Sequence, residues 1–252
     1  MSASGQSARA THDRIHQIWD DPLDSPAGLL HVCAVARRGD GTLGIMRIRP
    51  ETPVSPADQF SLEVARARAD IILTSGSILR SEPGLHHAIG EAASGWRQEI
   101  LKKRVLPEII FLSRGKDLPL THPALNQPNA TVATGPEISE EFRRKLKDRG
   151  IRHRWIPGNS PRELVRELLK GPAETITMEL GPYTASQFYT GPTRVNELML
   201  SCCEHFELPG ELDAGDFIST EQLLGVFGPP CHQTLVEEAH GIWQFSRWVA
   251  AR

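Results

Sequence analysis

The sequence is short of several features that would settle a function at once. It has four cysteines, Cys33, Cys202, Cys203 and Cys231. Two are adjacent and none forms a C-x-x-C pair, so no disulfide framework is spelled, and free thiols in a reducing compartment are expected. No apolar run approaches the ~18 residues needed to cross a bilayer. Residues 1–21 also lack the basic start and apolar centre of a signal peptide, so a cytoplasmic protein without a membrane partner is expected. The formal net charge is only -3, which gives no general polyanion surface, and no nucleic-acid partner is expected. The histidines lack ligand spacing: His86 and His87 are adjacent, and His122, His153, His205 and His232 are scattered. No H-E-x-x-H occurs and no zinc-deaminase signature, so no metal is expected. The absence of G-x-S-x-G and of G-x-x-x-x-G-K-[ST] argues against an α/β-hydrolase and a P-loop NTPase.

What is present is an ordinary globular composition, 39% hydrophobic and 23% charged over 252 residues. No repeat, low-complexity block or linker divides it, so one domain over residues 26–252 is expected. Residues 1–25 read as a polar arm in which Ile15, Ile18 and Trp19 fit a short amphipathic turn able to dock on the body. Residues 29–36 suit a buried strand. Ser55-Pro56 is a helix start, cap then proline, with Phe60, Val64, Ala65 and Ala67 following. Strand signals recur at residues 71–73, 109–112, 130–133, 152–156, 175–178, 198–201 and 241–249. Between them lie helical patterns at 88–103, after Ser139, after the Ser160-Pro161-Arg162-Glu163 capping box, and at 184–189. Such alternation implies a mostly parallel sheet covered on both faces.

Several segments carry chemistry. Gly39-Asp40-Gly41-Thr42-Leu43-Gly44 spells G-x-G-x-x-G, but Arg47, Arg49, Pro50 and Pro53 follow where a Rossmann motif needs a helix, so Asp-Gly reads as a hairpin turn. The segment from Thr74 through Gly76 and Ser77 to Arg80 follows a buried strand, where open α/β sheets bind ligands. Glu179-Leu180-Gly181-Pro182-Tyr183-Thr184 puts a carboxylate and a glycine turn at another strand end, opening a short helix that suits an anion. Ser113-Arg114-Gly115-Lys116 offers a hydroxyl and two cations at a third strand end, suited to a phosphate.

These loops, in this order, resemble the reductase domain of bacterial riboflavin biosynthesis. The resemblance runs over about residues 29–250. It is carried by Ser55-Pro56, by Ala65-Arg66-Ala67-Arg68-Ala69-Asp70-Ile71-Ile72-Leu73 with Thr74-Ser75-Gly76 and then Glu82-Pro83-Gly84-Leu85, by Glu179-Leu180-Gly181-Pro182, by Val195-Asn196-Glu197-Leu198-Met199-Leu200, and by Gly241-Ile242-Trp243 with Phe245. It implies a dihydrofolate-reductase-like α/β fold with a mostly parallel central sheet and helices on both faces. It also implies a homodimer and an NADPH-dependent reductase like 5-amino-6-(5-phosphoribosylamino)uracil reductase. Carried over, Thr74, Gly76, Ser77, Ser113, Arg114, Gly181, Pro182, Tyr183 and Thr184 would hold NADPH. Ser55, Arg80, Ser81, Glu82 and Leu85 would meet a small-molecule substrate, and Glu179 would face the reacting centre as the catalytic carboxylate. The sequence departs from the family pattern at Arg38-Gly39, where a serine is usual. It departs again at Ser81, Ala88 and Leu180, where an aspartate, a phosphate-clamping arginine and a glycine are usual. Two alternatives follow: a member that binds a nucleotide or a partner without turnover, or a reductase of another heteroaromatic compound.

Overall fold

The computed structural model describes residues 3–115, 118–156 and 160–251, with residues 3–6 and Pro182 described by their backbone alone. Helix α1 (Ala3–Trp19) precedes β1 (Gly28–Arg37) and β2 (Leu43–Met46). Then come α2 (Pro56–Arg68), β3 (Ile71–Ser75), α3 (Gly76–Ser81), α4 (Glu91–Glu99) and β4 (Glu108–Ser113). Next are β5 (Ala130–Thr134), α5 (Glu140–Asp148), β6 (His153–Trp155), α6 (Pro161–Leu169) and β7 (Thr175–Glu179). The chain closes with α7 (Pro182–Ala185), β8 (Glu197–Glu204), β9 (Asp213–Asp216), α8 (Thr220–Phe227), β10 (His232–Glu238) and β11 (Gly241–Val249).

One sheet holds all eleven strands of the described residues: nine run in the order β10-β11-β8-β1-β7-β3-β4-β5-β6, and off this path β2 pairs with β1 and with β9. From β8 to β6 every neighbouring pair is parallel. At the other edge β11 pairs antiparallel with β8, and β10 with β11. The fold is therefore the expected mostly parallel α/β sheet. Alternation along the strands feeds both faces. Leu29 and Val35 of β1 join Leu73, Ile110 and Met178 under α6 and α8. Leu30 and Val32 point the other way, toward Ile15 and Trp19 of α1, Phe60 and Val64 of α2, and Trp96 of α4. A third cluster on that second face packs Ile72, Ile109, Phe111 and Val132 against Leu79 of α3 and Phe142 and Leu146 of α5.

The G-x-G-x-x-G segment is the β1–β2 hairpin turn, with Arg37 opposite Leu43 and Gly41 at φ 84. β9 adds to the free edge of β2. Arg38 fastens this flap through both Asp213 oxygens, at 2.8 and 2.9 Å from Nη2, and through Asp216 at 2.7 Å.

Two local expectations are corrected. Residues 3–19 form a 17-residue helix rather than the leading part of a polar arm. One side of that helix carries Ala8, Ile15, Ile18 and Trp19 into the core, where Trp19 is fully buried. The Ser160 box is incomplete: its hydroxyl accepts from the Arg162 amide, so the cap closes one residue short of Glu163. The full reciprocal box sits instead at α8, between Ser219 and Gln222. Among the described residues no helix is long and apolar enough to cross a membrane.

Candidate active site

The carboxyl ends of β3, β4 and β7 lie side by side, with Thr74 opposite both Phe111 and Glu179. Parallel strands point their last residues the same way, and the loops that follow enclose a crevice. Two cavities open there. The larger holds about 850 Å³ and is bordered by Ser75, Gly76, Ser77 and Arg80 after β3, and by Leu112, Ser113 and Arg114 after β4. Gly135, Glu137 and Ile138 after β5, Ile156 after β6, Ser160 and Pro161 at the start of α6, and Gly181, Tyr183, Thr184 and Gln187 after β7 complete it. The smaller, about 310 Å³, lies between β1 and the β2–β9 flap. It is lined by His31 and Cys33 of β1, by Ile45 and Met46 of β2 with Arg47 and Arg49 beyond, by Ile78, Ser81 and Glu82, and by Leu180 and Phe217. Gly181 borders both cavities.

The larger cavity has the chemistry of a polyanion site with apolar walls. Two guanidiniums and one carboxylate face it, among five aliphatic hydroxyls. Its volume falls in the upper part of the range of cofactor sites, about 300–1,000 Å³. A Cβ on Gly181 would meet nothing within 4 Å, so the backbone there is open to a ligand. At Gly76 a Cβ would stand 2.7 Å from Leu118 Cδ1, so that a larger residue there requires the leucine to turn aside.

The structure distributes the sequence-predicted residues as follows. Gly76, Ser77, Ser113, Arg114, Gly181, Tyr183 and Thr184 all border the larger cavity, and Arg80 stands with them rather than in the smaller one. The side chain of Pro182 lies outside what is described, as does Lys116. Thr74 borders neither cavity: it is fully buried, and its hydroxyl meets no partner among the described residues. Ser81 and Glu82 border the smaller cavity. Ser55 and Leu85 border neither. Ser55 caps α2, accepting from the Asp58 amide at 2.9 Å. Leu85 packs beside the third apolar cluster. The α-helix after Gly181 has four residues, too short for an appreciable macrodipole at its start.

Glu179 is the main correction. Its side chain does not border either cavity. Arg66 of α2 takes both oxygens, Nε to Oε1 and Nη2 to Oε2, each at 2.7 Å. Arg66 Nη1 also donates to the Ala88 carbonyl at 3.1 Å. Burial alone would raise the Glu179 pKa, but the Arg66 charge and hydrogen bonds outweigh it and hold the carboxyl below its usual value. His87 lies 3.6 Å away, yet burial drives its pKa down to about 4, so it is neutral and forms no ion pair at neutral pH. Glu179 thus braces α2 against the end of β7. The carboxyl that borders the smaller cavity is Glu82, as Glu137 borders the larger. Burial first, then the nearby Glu179 charge, raise the Glu82 pKa, against a lowering by Arg66.

Leu180, where the resemblance leads one to expect glycine, turns into the first apolar cluster and the smaller cavity, so it leaves the larger cavity unobstructed. Sequence reasoning missed His31, Cys33, Tyr189, Arg47, Arg49, Phe217 and Glu137. His31 had a signal: it is the one strongly polar residue in the run 29–36. Its Nδ1 lies 2.6 Å from the Tyr189 hydroxyl, and burial lowers its pKa to about 4. Arg47, Arg49 and Phe217 come to the site only because the flap folds over. Among the described residues no group of three or more histidine, cysteine or acidic side chains is placed to hold a metal ion.

No protein-family model matches the chain, and no curated protein matches it in sequence. Solved structures do match. A pyrimidine reductase-like protein from Corynebacterium diphtheriae superposes with a TM-score of 0.68 at 17% identity, over 95% of this chain and 99% of that one. RibD of Acinetobacter baumannii gives 0.57 at 15%, over 92% of this chain and 60% of that one. The Thermotoga maritima diaminohydroxyphosphoribosylaminopyrimidine deaminase/5-amino-6-(5-phosphoribosylamino)uracil reductase gives 0.52 at 15%, over 89% and 57%. The chain shares their fold. It spans well under two thirds of the two longer proteins, and nearly all of the first.

Proposed function

We propose that the chain is a reductase that binds NADPH in the larger cavity and a pyrimidine-like heteroaromatic substrate in the smaller one. The observation that carries this reading is the junction at Gly181, which borders both a cleft of cofactor size with mixed polar and apolar lining and a small, mostly apolar pocket. The likeness in fold to reductases supports it. When bound, the nicotinamide supplies a hydride to the substrate ring or its substituent. The chain's own residues bind and orient. Ser77, Ser113, Ser160 and Thr184 offer donors along the cleft, and Arg114 at its mouth suits the 2′-phosphate that separates NADPH from NADH. Ile45, Met46 and Phe217 shield the smaller pocket from water, and Glu82, whose pKa is raised chiefly by burial, borders that pocket and can exchange a proton with a substrate atom there. Arg47 and Arg49 at the rim suit an anionic substituent. The working species on this reading is a homodimer, which sedimentation of the purified protein would test.

The deciding experiment is titration with NADPH and NADH by thermal shift. At a hundredfold excess over its dissociation constant a ligand stabilises the native state by about 2.7 kcal/mol. NADPH is expected to raise the melting temperature more than NADH. Gly181→Trp should fold and lose the shift, because the indole fills open space at the junction. Arg114→Ala should weaken NADPH more than NADH. No shift with either nucleotide in a well-folded sample would overturn the reading.

A further inference from the structure

The floor of the smaller cavity is polar at one point, and that point has a fixed direction. His31 is 2% exposed and lines the cavity, while Tyr189 behind it is 4% exposed. The Tyr189 hydroxyl and His31 Nδ1 are 2.6 Å apart. Either atom could supply the proton in isolation, but their surroundings choose. The tyrosine ring is packed among His31, Phe217 and Phe227, and its hydroxyl meets no other acceptor among the described residues. Were Nδ1 protonated, the hydroxyl hydrogen would be buried without an acceptor, an arrangement that folded proteins avoid. The hydroxyl therefore donates, Nδ1 accepts, and the ring proton sits on Nε2. A buried imidazole with no carboxylate on either nitrogen stays neutral, so this tautomer persists. No described residue is hydrogen-bonded to Nε2. Nor is that nitrogen sealed in the interior, unlike both ring nitrogens of His87.

We propose that the Tyr189–His31 pair is a one-way reader: it presents a single N–H donor to the smaller cavity, so that the pocket selects ring compounds carrying a carbonyl-type acceptor at that point and rejects those carrying an amino group. Two donors facing each other in a dry pocket leave both unpaired, whereas a carbonyl completes a chain from Tyr189 through His31 to the ligand. Phe217, with its ring centroid 6.2 Å from that of His31, and Ile45 hold a flat ring in place over it. His31 is here a specificity-determining residue and Tyr189 a positioning residue. The proposal deepens the reading of the smaller cavity as a substrate pocket.

The test is nitrogen-15 NMR of the histidine rings, with 2-pyridone and aniline as probes. The two are flat six-membered rings of nearly equal size: 2-pyridone carries a carbonyl acceptor beside its ring N–H, whereas aniline carries an amino donor and no carbonyl. In the free protein at pH 7.5 His31 should show a protonated Nε2 and an unprotonated Nδ1. At millimolar concentration 2-pyridone should shift the Nε2 resonance, and aniline should bind about tenfold more weakly. In Tyr189→Phe, which keeps the ring and loses the hydroxyl, the His31 tautomers should mix and the preference between probes should fall toward one. His31→Gln, whose side chain can offer either a donor or an acceptor, should likewise lose the preference. A proton found on Nδ1, equal binding of both probes, binding of neither, or a preference that survives Tyr189→Phe would overturn the proposal. None of these readouts needs a nicotinamide. If NADPH fails to bind while the tautomer and the probe preference hold, the reductase reading falls and this one stands.

Discussion

At the scale of single residues, the pairing of Arg66 with Glu179 shows how a side chain of the right type at the right strand end can still be structural. Both are nearly buried, at 8% and 11% side-chain exposure, and their contact is bidentate. Removing one partner of such a pair leaves an uncompensated charge, and Arg66→Ala is expected to cost about 3–5 kcal/mol in urea denaturation. Glu179→Gln is expected to keep NADPH affinity within about threefold, since the carboxylate borders no cavity. A tenfold loss of affinity in a stably folded variant would return Glu179 to the site. The buried histidines give a second residue-scale prediction. His31 and His87 titrate near pH 4 in the folded protein, against about 6.5 in an unfolded chain. Between those values the unfolded state binds more protons, so stability is full above about pH 6.5 and falls as the pH drops toward 4. Each histidine should cost about 2 kcal/mol by pH 5. Glu179 has the opposite kind of charge and a depressed pKa, so its contribution is present above the unfolded carboxyl value and is lost only at lower pH. Urea midpoints unchanged from pH 7 to 5 would contradict the histidine assignment.

At the scale of elements, local signals and tertiary roles part company at helix starts. Ser55-Pro56 was legible as the beginning of α2, and it is that: a hydroxyl cap on the Asp58 amide with proline in the first turn. The same serine, expected by resemblance to meet a substrate, borders neither cavity and uses its hydroxyl as the cap. Ser55→Ala should therefore cost about 1 kcal/mol of stability and leave nucleotide binding unchanged; an affinity loss without a stability loss would reverse the assignment. β1, β3 and β4 were readable because strands buried on both faces are near-continuous apolar runs, and β7 because its threonines and isoleucine are β-branched. β2, β9 and β10 were not. β2 and β9 have four residues each. β10 alternates half-buried and exposed positions along a polar stretch at the sheet edge. β9 is selected by the edge of β2, which lies far away in the chain, whereas β2 and β10 pair in hairpins with their neighbours β1 and β11 and carry too little apolar pattern of their own to be read.

At the scale of the whole molecule, long-range contacts join the ends of the chain to the sheet. Glu197 at the start of β8 accepts from Arg68 of α2 at 2.7 and 2.9 Å and from Arg247 of β11 at 2.9 Å, and Arg247 reaches Asp21 at 2.7 Å. Trp19, fully buried at the end of α1, meets Phe245 edge-on with centroids 6.0 Å apart. Trp19→Ala is expected to cost about 3–5 kcal/mol, read from the denaturation midpoint, because the cavity would sit between α1 and the sheet. A loss below 1 kcal/mol would show that α1 contributes little to the folded body. His232 adds a contact from β10 to the Ile18 carbonyl at 3.0 Å.

The sequence by itself determined the α/β class, the parallel strands, the helix caps at Ser55 and Ser139 and three of the loops that line the larger cavity. All of these depend on local pattern: apolar runs, cap chemistry, glycine and small hydroxyl residues at strand ends. Only the tertiary structure decided which side chains turn into the crevice. Glu179 and Arg66 are 113 positions apart and His31 and Tyr189 158 apart, so neither pair has a local signature. The smaller cavity exists because the β2–β9 flap closes over β1, a contact fixed by Arg38 and Asp213 across 175 positions. A carboxylate at a strand tip faces solvent, ligand or an arginine according to what packs beside it, and packing is a property of the whole chain.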